Sequence, residues 1–153
     1  MGRGSGSFIK KKDRDFILSI PFCMYCGSTE KLTIDHIHPI IKGGNSERIN
    51  LTRACNRCNC LKTGFYIDVF YHRMFQKRAE EYIKFQKWVG RYTSCIRRNH
   101  PIERMMDAWL KLNEARRNHS YYTRIIYSIK NDSHIPKENL LAYEEIEKLQ
   151  KTA

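Results

Sequence analysis

The sequence lacks any apolar run close to the roughly 18 residues that a membrane-spanning helix requires, and its first residues lack the apolar core of a secretion signal. These absences exclude a membrane-embedded class and predict an intracellular protein that is not secreted. Internal repeats and low-complexity segments are absent too. With 41% apolar and 12% aromatic residues, the 153-residue chain can form a folded core, as one domain or a small module with an extension.

Acidic residues are scarce, because 16 Asp and Glu stand against 28 Lys and Arg, and the net charge is +12. By segment, the net charge is +6 over 1–64, +8 over 65–130 and −2 over 131–153. Such a positive field suits a polyanion, since each phosphate neutralised by Lys or Arg releases a counterion. A basic surface that only keeps the protein in solution is the alternative interpretation of the charge alone.

Cysteine is present six times, and four of the six residues form two Cys-x-x-Cys pairs. The four are Cys23, Cys26, Cys55 and Cys58. Two close-spaced thiolate pairs supply the tetrahedral ligands of a structural Zn²⁺, and Gly27 can take the positive φ that a tight turn after the first pair needs. A thioredoxin-like redox motif is disfavoured because there are two pairs and no surrounding βαβ pattern. Cys60 and Cys95 fall outside the spacing.

The region around these pairs predicts the order strand, loop, strand, helix. Residues 32–34 are rich in β-formers, Ile40 is expected to begin the return strand, and 43–46 form a turn. A helix is expected over 55–63 with the following glycine as its stop. Ahead of the first pair, 8–21 predicts a short helix or strand that packs an apolar edge on this unit.

The second half of the sequence has a helical pattern. Apolar and aromatic residues recur at helical spacing over 66–89, which predicts one long helix that ends before Gly90. Pro101 is expected to begin a second helix of about four turns. Residues 120–130 are expected to form a third, short helix. Pro136 is expected to open a last one.

The polar residues between and after the cysteine pairs have the chemistry needed to cut a phosphodiester. That reaction needs a base for the attacking water, a cation on the phosphate and further positive charge. His36 can serve as the base, while Asp35 and Asn59 offer the oxygen ligands that Mg²⁺ or Mn²⁺ prefers. In an ideal strand Asp35 and His36 point to opposite faces, so both serve one site only if the strand bends or ends there.

The string D-H-I-H-P-I-I-K-G-G-N, followed by N-L and C-x-x-C-N-x-x-K, resembles the HNH endonuclease motif over 23–62. The cysteine pairs resemble the zinc-bearing branch of that family. The resemblance implies that His36 activates water, that Asn50 orients this histidine through the loop, and that Asp35 and Asn59 bind the catalytic metal. Asn59 stands where the motif's name has a histidine, and its oxygen favours Mg²⁺ or Mn²⁺ over softer ions.

We therefore predict an α+β protein with a zinc-stapled ββα-metal module at 8–64. A mainly helical extension at 65–153 would serve as support, DNA grip or dimerisation surface, and 1–7 are a tag-like or disordered tail. The predicted phosphate contacts are His38, Arg53, Arg57 and Lys62.

The predicted function is a metal-dependent DNA endonuclease that nicks or cuts double-stranded DNA with one catalytic divalent metal, alone or as a homodimer. A non-catalytic zinc-containing module that binds nucleic acid is the alternative. A scaffold that binds a protein partner through the C-terminal helices is a third hypothesis.

Overall fold

The computed structural model describes residues 8–131. The predicted tail at 1–7 and the helix predicted after Pro136 lie outside these residues. Within them, a two-stranded sheet and four α-helices follow each other along the chain. The α+β class and the helical C-terminal region that the sequence predicted are confirmed.

The sheet is an antiparallel hairpin of β1 (Leu32–His36) and β2 (Leu51–Cys55), with Leu32 opposite Cys55 and His36 opposite Leu51. The expected return strand at Ile40 is wrong. Ile40–Lys42 is a 3₁₀ turn, because the Pro39 carbonyl accepts hydrogen bonds from the backbone N–H groups of Lys42 and Gly44 and closes the chain on itself.

Gly44 sits where this loop approaches itself most closely. A side-chain carbon built at Gly44 would overlap the backbone carbonyl of His38, so only glycine fits there without a shift of the loop. A second 3₁₀ turn, Arg48–Asn50, leads directly into β2. The 14 residues between the strands thus form an ordered loop fixed by backbone contacts.

Two short helices pack on the hairpin. Helix α1 (Lys11–Leu18) contacts both strands and buries Ile17, which confirms the apolar edge expected over 8–21. Helix α2 (Asn56–Lys62) begins directly after β2, where the Cys55 sulfur accepts a hydrogen bond from the Cys58 N–H. It ends at Lys62 and is capped by Thr63, which has a φ of 44° and directly precedes the glycine expected to stop the helix.

Two long helices, α3 (Ile67–Arg97) and α4 (Ile102–Asn131), pack against each other as an antiparallel hairpin. The expected helix end before Gly90 is wrong, because Gly90 is exposed within α3 and a single glycine costs a packed helix only about 1 kcal/mol. The two helices expected after Pro101 are one. Among the described residues, no helix is both long and apolar enough to cross a membrane.

One hydrophobic cluster joins the hairpin, α2 and the two long helices. Its members from the long helices are Phe70, Tyr71, Met74, Tyr121, Tyr122, Ile125, Ile126 and Ile129. The same cluster contains Tyr25, Ala54 and the four paired cysteines. The first turns of α3 and the last turns of α4 therefore share a core with the cysteine-containing unit.

Candidate functional site

The four paired cysteines meet in the core of the protein. All four are buried, and their sulfur atoms lie within 4.8 Å of one another, with 3.7 Å between the Cys26 and Cys55 sulfurs. Four sulfurs at about 2.3 Å from a tetrahedral Zn²⁺ lie roughly 3.8 Å apart, so the cluster has the size that zinc requires. Cys60 is exposed and Cys95 is buried in α3, both outside the cluster, as expected.

The backbone around the first pair explains how the sulfurs converge. Gly27 has a φ of 77°, and its N–H donates to the Cys23 carbonyl at 2.8 Å to form the expected tight turn. The Met24 N–H donates to the Arg53 carbonyl at 2.8 Å, which attaches this turn to β2. The second pair is held at the start of α2, so a metal ion would join the turn to the helix.

The thiols of the cluster cannot all ionise on their own. Hydrogen bonds from Cys26 and Cys58 lower the pKa of the Cys23 thiol to about 2. Hydrogen bonding to Cys23 in turn raises the pKa of Cys26 to about 11 and that of Cys58 well above its ordinary value. A negative charge on one sulfur therefore disfavours ionisation of the neighbouring thiols. A bound dication would stabilise four adjacent thiolates.

Tyr121 of α4 reaches this cluster from the helical extension. Its hydroxyl lies 3.1 Å from the Cys58 sulfur, and burial, followed by this hydrogen bond, raises the pKa of Tyr121 well above its ordinary value. The hydroxyl therefore keeps its proton at neutral pH, and either the hydroxyl or the Cys58 thiol can be the donor of this hydrogen bond. The sequence gives no local signal for this contact, because 63 residues separate the two side chains.

Asp35 is buried and fully engaged by two neighbours. The Tyr25 hydroxyl donates to Oδ2 at 2.8 Å, and the Lys62 ammonium lies 3.1 Å from Oδ2 and 3.3 Å from Oδ1. The ammonium also donates to the His36 carbonyl at 2.6 Å. Lys62 was predicted to contact phosphate near the cut. Its side chain has 0% exposure, and it holds α2 against the end of β1.

His36 lies on the other face of β1. Its Nε2 is 2.9 Å from the hydroxyl of Ser46, and the imidazole tautomer decides which of the two donates. Partial burial lowers the pKa of His36 below 6.5; the Asp35 carboxylate opposes this shift and the Lys62 charge adds to it. The imidazole is therefore neutral at pH 7. β1 ends at His36, and the two side chains have different partners: Asp35 contacts Tyr25 and Lys62, and His36 contacts Ser46.

Asn50 fixes the loop that follows His36. Its side-chain oxygen accepts from the His38 N–H at 2.7 Å, and its amide nitrogen donates to the carbonyls of His38 at 3.0 Å and Asn45 at 2.7 Å. The Asn50 carbonyl accepts from the Ile37 N–H at 2.9 Å. These contacts immobilise both chain segments on either side of the Gly-Gly turn.

Asn59 lies on α2 one turn before Lys62, and residues three apart share a helix face. It therefore faces the end of β1, where the Lys62 ammonium is held. The residue is half-buried, and its side chain makes no hydrogen bond within 8–131. Its amide oxygen is available as a ligand.

The predicted phosphate contacts fall on two different sides. Arg53 is opposite Ile34 in the hairpin and His36 is opposite Leu51, so Arg53 and His36 are diagonal neighbours on one face. Nε and Nη1 of Arg53 are buried without a hydrogen-bond partner in the described part of the chain. Because these two atoms have almost no exposed surface, a phosphate oxygen could reach them only after the Arg53 side chain moves.

The other two predicted contacts lie apart. His38 is exposed with its ring 5.1 Å from that of Tyr66, next to the loop. Arg57 is two residues before Asn59 on α2 and so lies on roughly the opposite side of this helix. Its guanidinium lies 3.7 Å from the centre of the Tyr121 ring, against α4.

The sequence comparison agrees with this site. The family model described as HNH endonuclease matches residues 23–65. No curated protein matches the chain. This segment is thus an HNH domain, and its four-cysteine cluster fits the zinc-bearing branch, as the motif predicted. An HNH domain implies a nuclease-type function and a nucleic-acid substrate in general.

Replacing Cys58 by serine is expected to remove the zinc and unfold the protein. Structural zinc contributes about 10–16 kcal/mol, which is as large as the whole stability of a typical domain. Cys60→Ser is the matched control, because Cys60 is exposed and outside the cluster. Metal content by mass spectrometry and thermal unfolding by circular dichroism measure the two effects. A Cys58→Ser protein with unchanged zinc and melting temperature would contradict the assignment.

Lys62→Met is expected to destabilise the protein by about 3–5 kcal/mol, because it leaves the Asp35 carboxylate buried without a counter-charge. Asp35→Asn/Lys62→Met should recover part of this loss, since it removes both charges. The control is Lys111→Met, which breaks an exposed ion pair with Asp107 and should cost less than about 1 kcal/mol. Urea unfolding measures all three. Equal effects of Lys62→Met and Lys111→Met would contradict the buried ion pair.

Proposed function

We propose that this protein is a metal-dependent DNA endonuclease that hydrolyses phosphodiester bonds with His36 as the general base. The observation that carries the proposal is the pairing of His36, neutral at pH 7 and held by Ser46, with the Arg53 guanidinium on the same face of an HNH hairpin. A base and an unpartnered cation side by side are what an attacking water and a phosphate require.

In this mechanism the imidazole of His36 accepts a proton from the attacking water as the new phosphorus–oxygen bond forms. The phosphorus–oxygen bond to one sugar oxygen breaks at the same time, and this leaving oxygen takes a proton from solvent. Burial keeps the ring unprotonated, so it is ready to act at neutral pH. The Ser46 hydroxyl restrains the ring, and Asn50 restrains the loop from which Ser46 extends. Arg53 neutralises charge that develops on the phosphate oxygens.

Asp35 and Asn59 are proposed to hold the catalytic Mg²⁺ or Mn²⁺. Their carboxylate and amide oxygens are the ligand type these ions prefer, and such an ion stabilises negative charge on the phosphate. The Asn59 amide is free of other hydrogen bonds in the described chain. Asp35 already has its charge balanced by Lys62, so an ion at this position must compete with the ammonium for the carboxylate.

The same ion pair is the observation that favours the second candidate function. If Asp35 serves only to bind Lys62 and Tyr25, the module is a zinc-containing nucleic-acid-binding unit without catalysis. For the enzyme, double-stranded DNA is the proposed substrate. One site cuts one strand, so a single copy would nick, and a homodimer would be needed to cut both strands at once.

His36→Ala is expected to lower the rate of plasmid cleavage about 10²- to 10⁴-fold in the presence of Mg²⁺ or Mn²⁺, because it removes the base. Conversion of supercoiled plasmid to nicked or linear DNA measures the rate, with omission of the divalent ion as the blank. His119→Ala, a half-buried histidine of α4, is the matched control and should cleave normally. If wild type and His36→Ala both bind DNA and neither cuts it with any metal, the binding-module function replaces the enzyme.

The pH dependence of kcat/KM provides an independent check on His36. A base acts only when unprotonated, so activity should be full above its pKa and fall tenfold per pH unit below it. Because burial lowers the pKa of His36, the half-maximal pH should lie below 6.5. A midpoint clearly above 6.5 would show that another group controls the reaction.

A further inference from the structure

A second basic surface lies on the side of α2 that faces away from Asn59. Two adjoining cavities of about 740 and 680 Å³ share Arg57, Tyr121 and Arg124 in their walls. Arg116 and Arg117 complete the second cavity. We call the surface formed by Arg57, Arg116, Arg117 and Arg124 the arginine groove. None of the functional residues discussed above except Arg57 belongs to it.

The periodicity of α4 explains why these side chains converge. Positions 116 or 117, 120 or 121, and 124 recur every three to four residues, so they form one stripe along the helix. Arg57 approaches this stripe from α2 and is fixed there by the Tyr121 ring at 3.7 Å and by a 3.4 Å hydrogen bond to the Asn118 side chain. Because Arg57 is already ordered, a ligand would not have to restrain it.

The groove carries positive charge that the described chain does not neutralise. Within residues 8–131, none of its four guanidinium groups forms an ion pair. No carboxylate lines the smaller cavity, and in the larger one Glu30 is accompanied by Lys31. A concave surface lined by one sign of charge attracts the opposite charge.

We infer that the arginine groove binds the phosphate backbone of the nucleic acid on which the HNH site acts. From 116 to 124 the helix rises about 12 Å, the axial length of three to four phosphates of one DNA strand. Asn113, Asn118 and Ser120 line the groove too, and such side chains donate hydrogen bonds to phosphate oxygens. A helix is about 10 Å wide, so one continuous nucleic acid can reach both sides of α2. The inference rests on the proposed nuclease function for its choice of ligand.

The test is the affinity for a fluorescently labelled 30-base-pair DNA duplex, measured by anisotropy at several salt concentrations without added Mg²⁺ or Mn²⁺. Arg116→Gln/Arg117→Gln/Arg124→Gln removes three exposed groove charges. It should weaken binding at least about tenfold at 0.15 M salt and reduce the slope of log K against log salt by about 2–3. The matching lysine variant keeps the charges and should retain the slope.

The control is Arg97→Gln/Arg98→Gln/Arg104→Gln, which removes the same net charge from exposed positions near the α3–α4 connection. Arg104 and Arg116 are separated by about 18 Å of helix, so the control should change affinity only slightly. An equal loss of DNA affinity in both variants would overturn the inference, because it would show that affinity depends on net charge and not on the position of the arginines. Wild-type affinity in the groove variant would overturn the inference and point to an acidic protein partner for the groove.

Cleavage assays separate this inference from the proposed function. If wild type cuts DNA and the arginine groove binds the substrate, kcat/KM of the groove variant should fall in proportion to its loss of affinity for DNA. If wild type binds DNA through the groove and never cuts it, the nuclease proposal fails and the groove assignment stands. If wild type cuts DNA and the groove variant binds and cuts it equally well, the groove assignment fails alone.

Discussion

The convergence of four buried cysteine sulfurs is the constraint on which the rest of the structure depends. Four cysteine sulfurs within 4.8 Å form a cluster of the size that a zinc ion requires, and binding of such an ion would be coupled to the folding of this region. The turn after Cys23, the end of β2 and the start of α2 are all fixed by that cluster. Arg53 on β2 and Asn59 on α2 lie within a few residues of a cluster cysteine, and Asp35 and His36 lie on the strand paired with β2. A two-stranded sheet is only marginally stable by itself, and a metal ion bound by the four cysteines would supply stability that its small hydrophobic core does not.

Buried charge is the second constraint. The Lys62 ammonium lies between the Asp35 carboxylate and the His36 carbonyl, so it fixes α2 relative to the end of β1. This contact holds the two neighbouring residues of β1 in opposite orientations, with the acid inside and the imidazole outside. The Asp35 carboxylate and the His36 imidazole therefore lie on different sides of one short strand, which is a more divided arrangement than the compact motif suggests.

Short-range features were predictable from the sequence, and long-range contacts were not. The cysteine spacing, the turn at Gly27 and the strand–loop–strand–helix order follow from local rules, and the structure confirms them, with the second strand at Leu51–Cys55 and not at Ile40. The contacts of Tyr25, Ser46 and Tyr121 have no local signature, because each depends on how distant elements pack. The predicted helix end before Gly90 and the predicted break between two helices after Pro101 were wrong for a related reason. Packing between two long helices outweighs a local weakness in either one.

Tyr121 touches two different centres with two parts of one side chain. Its hydroxyl contacts a sulfur of the metal cluster, and its ring lies against the guanidinium of Arg57. Two ligands that restrain the same group are thermodynamically linked, and the linkage is reciprocal. Zinc retention and occupancy of the Arg57 side chain by an anion should therefore reinforce each other. If the arginine groove binds nucleic acid as proposed, loss of zinc should weaken this binding even before the domain unfolds.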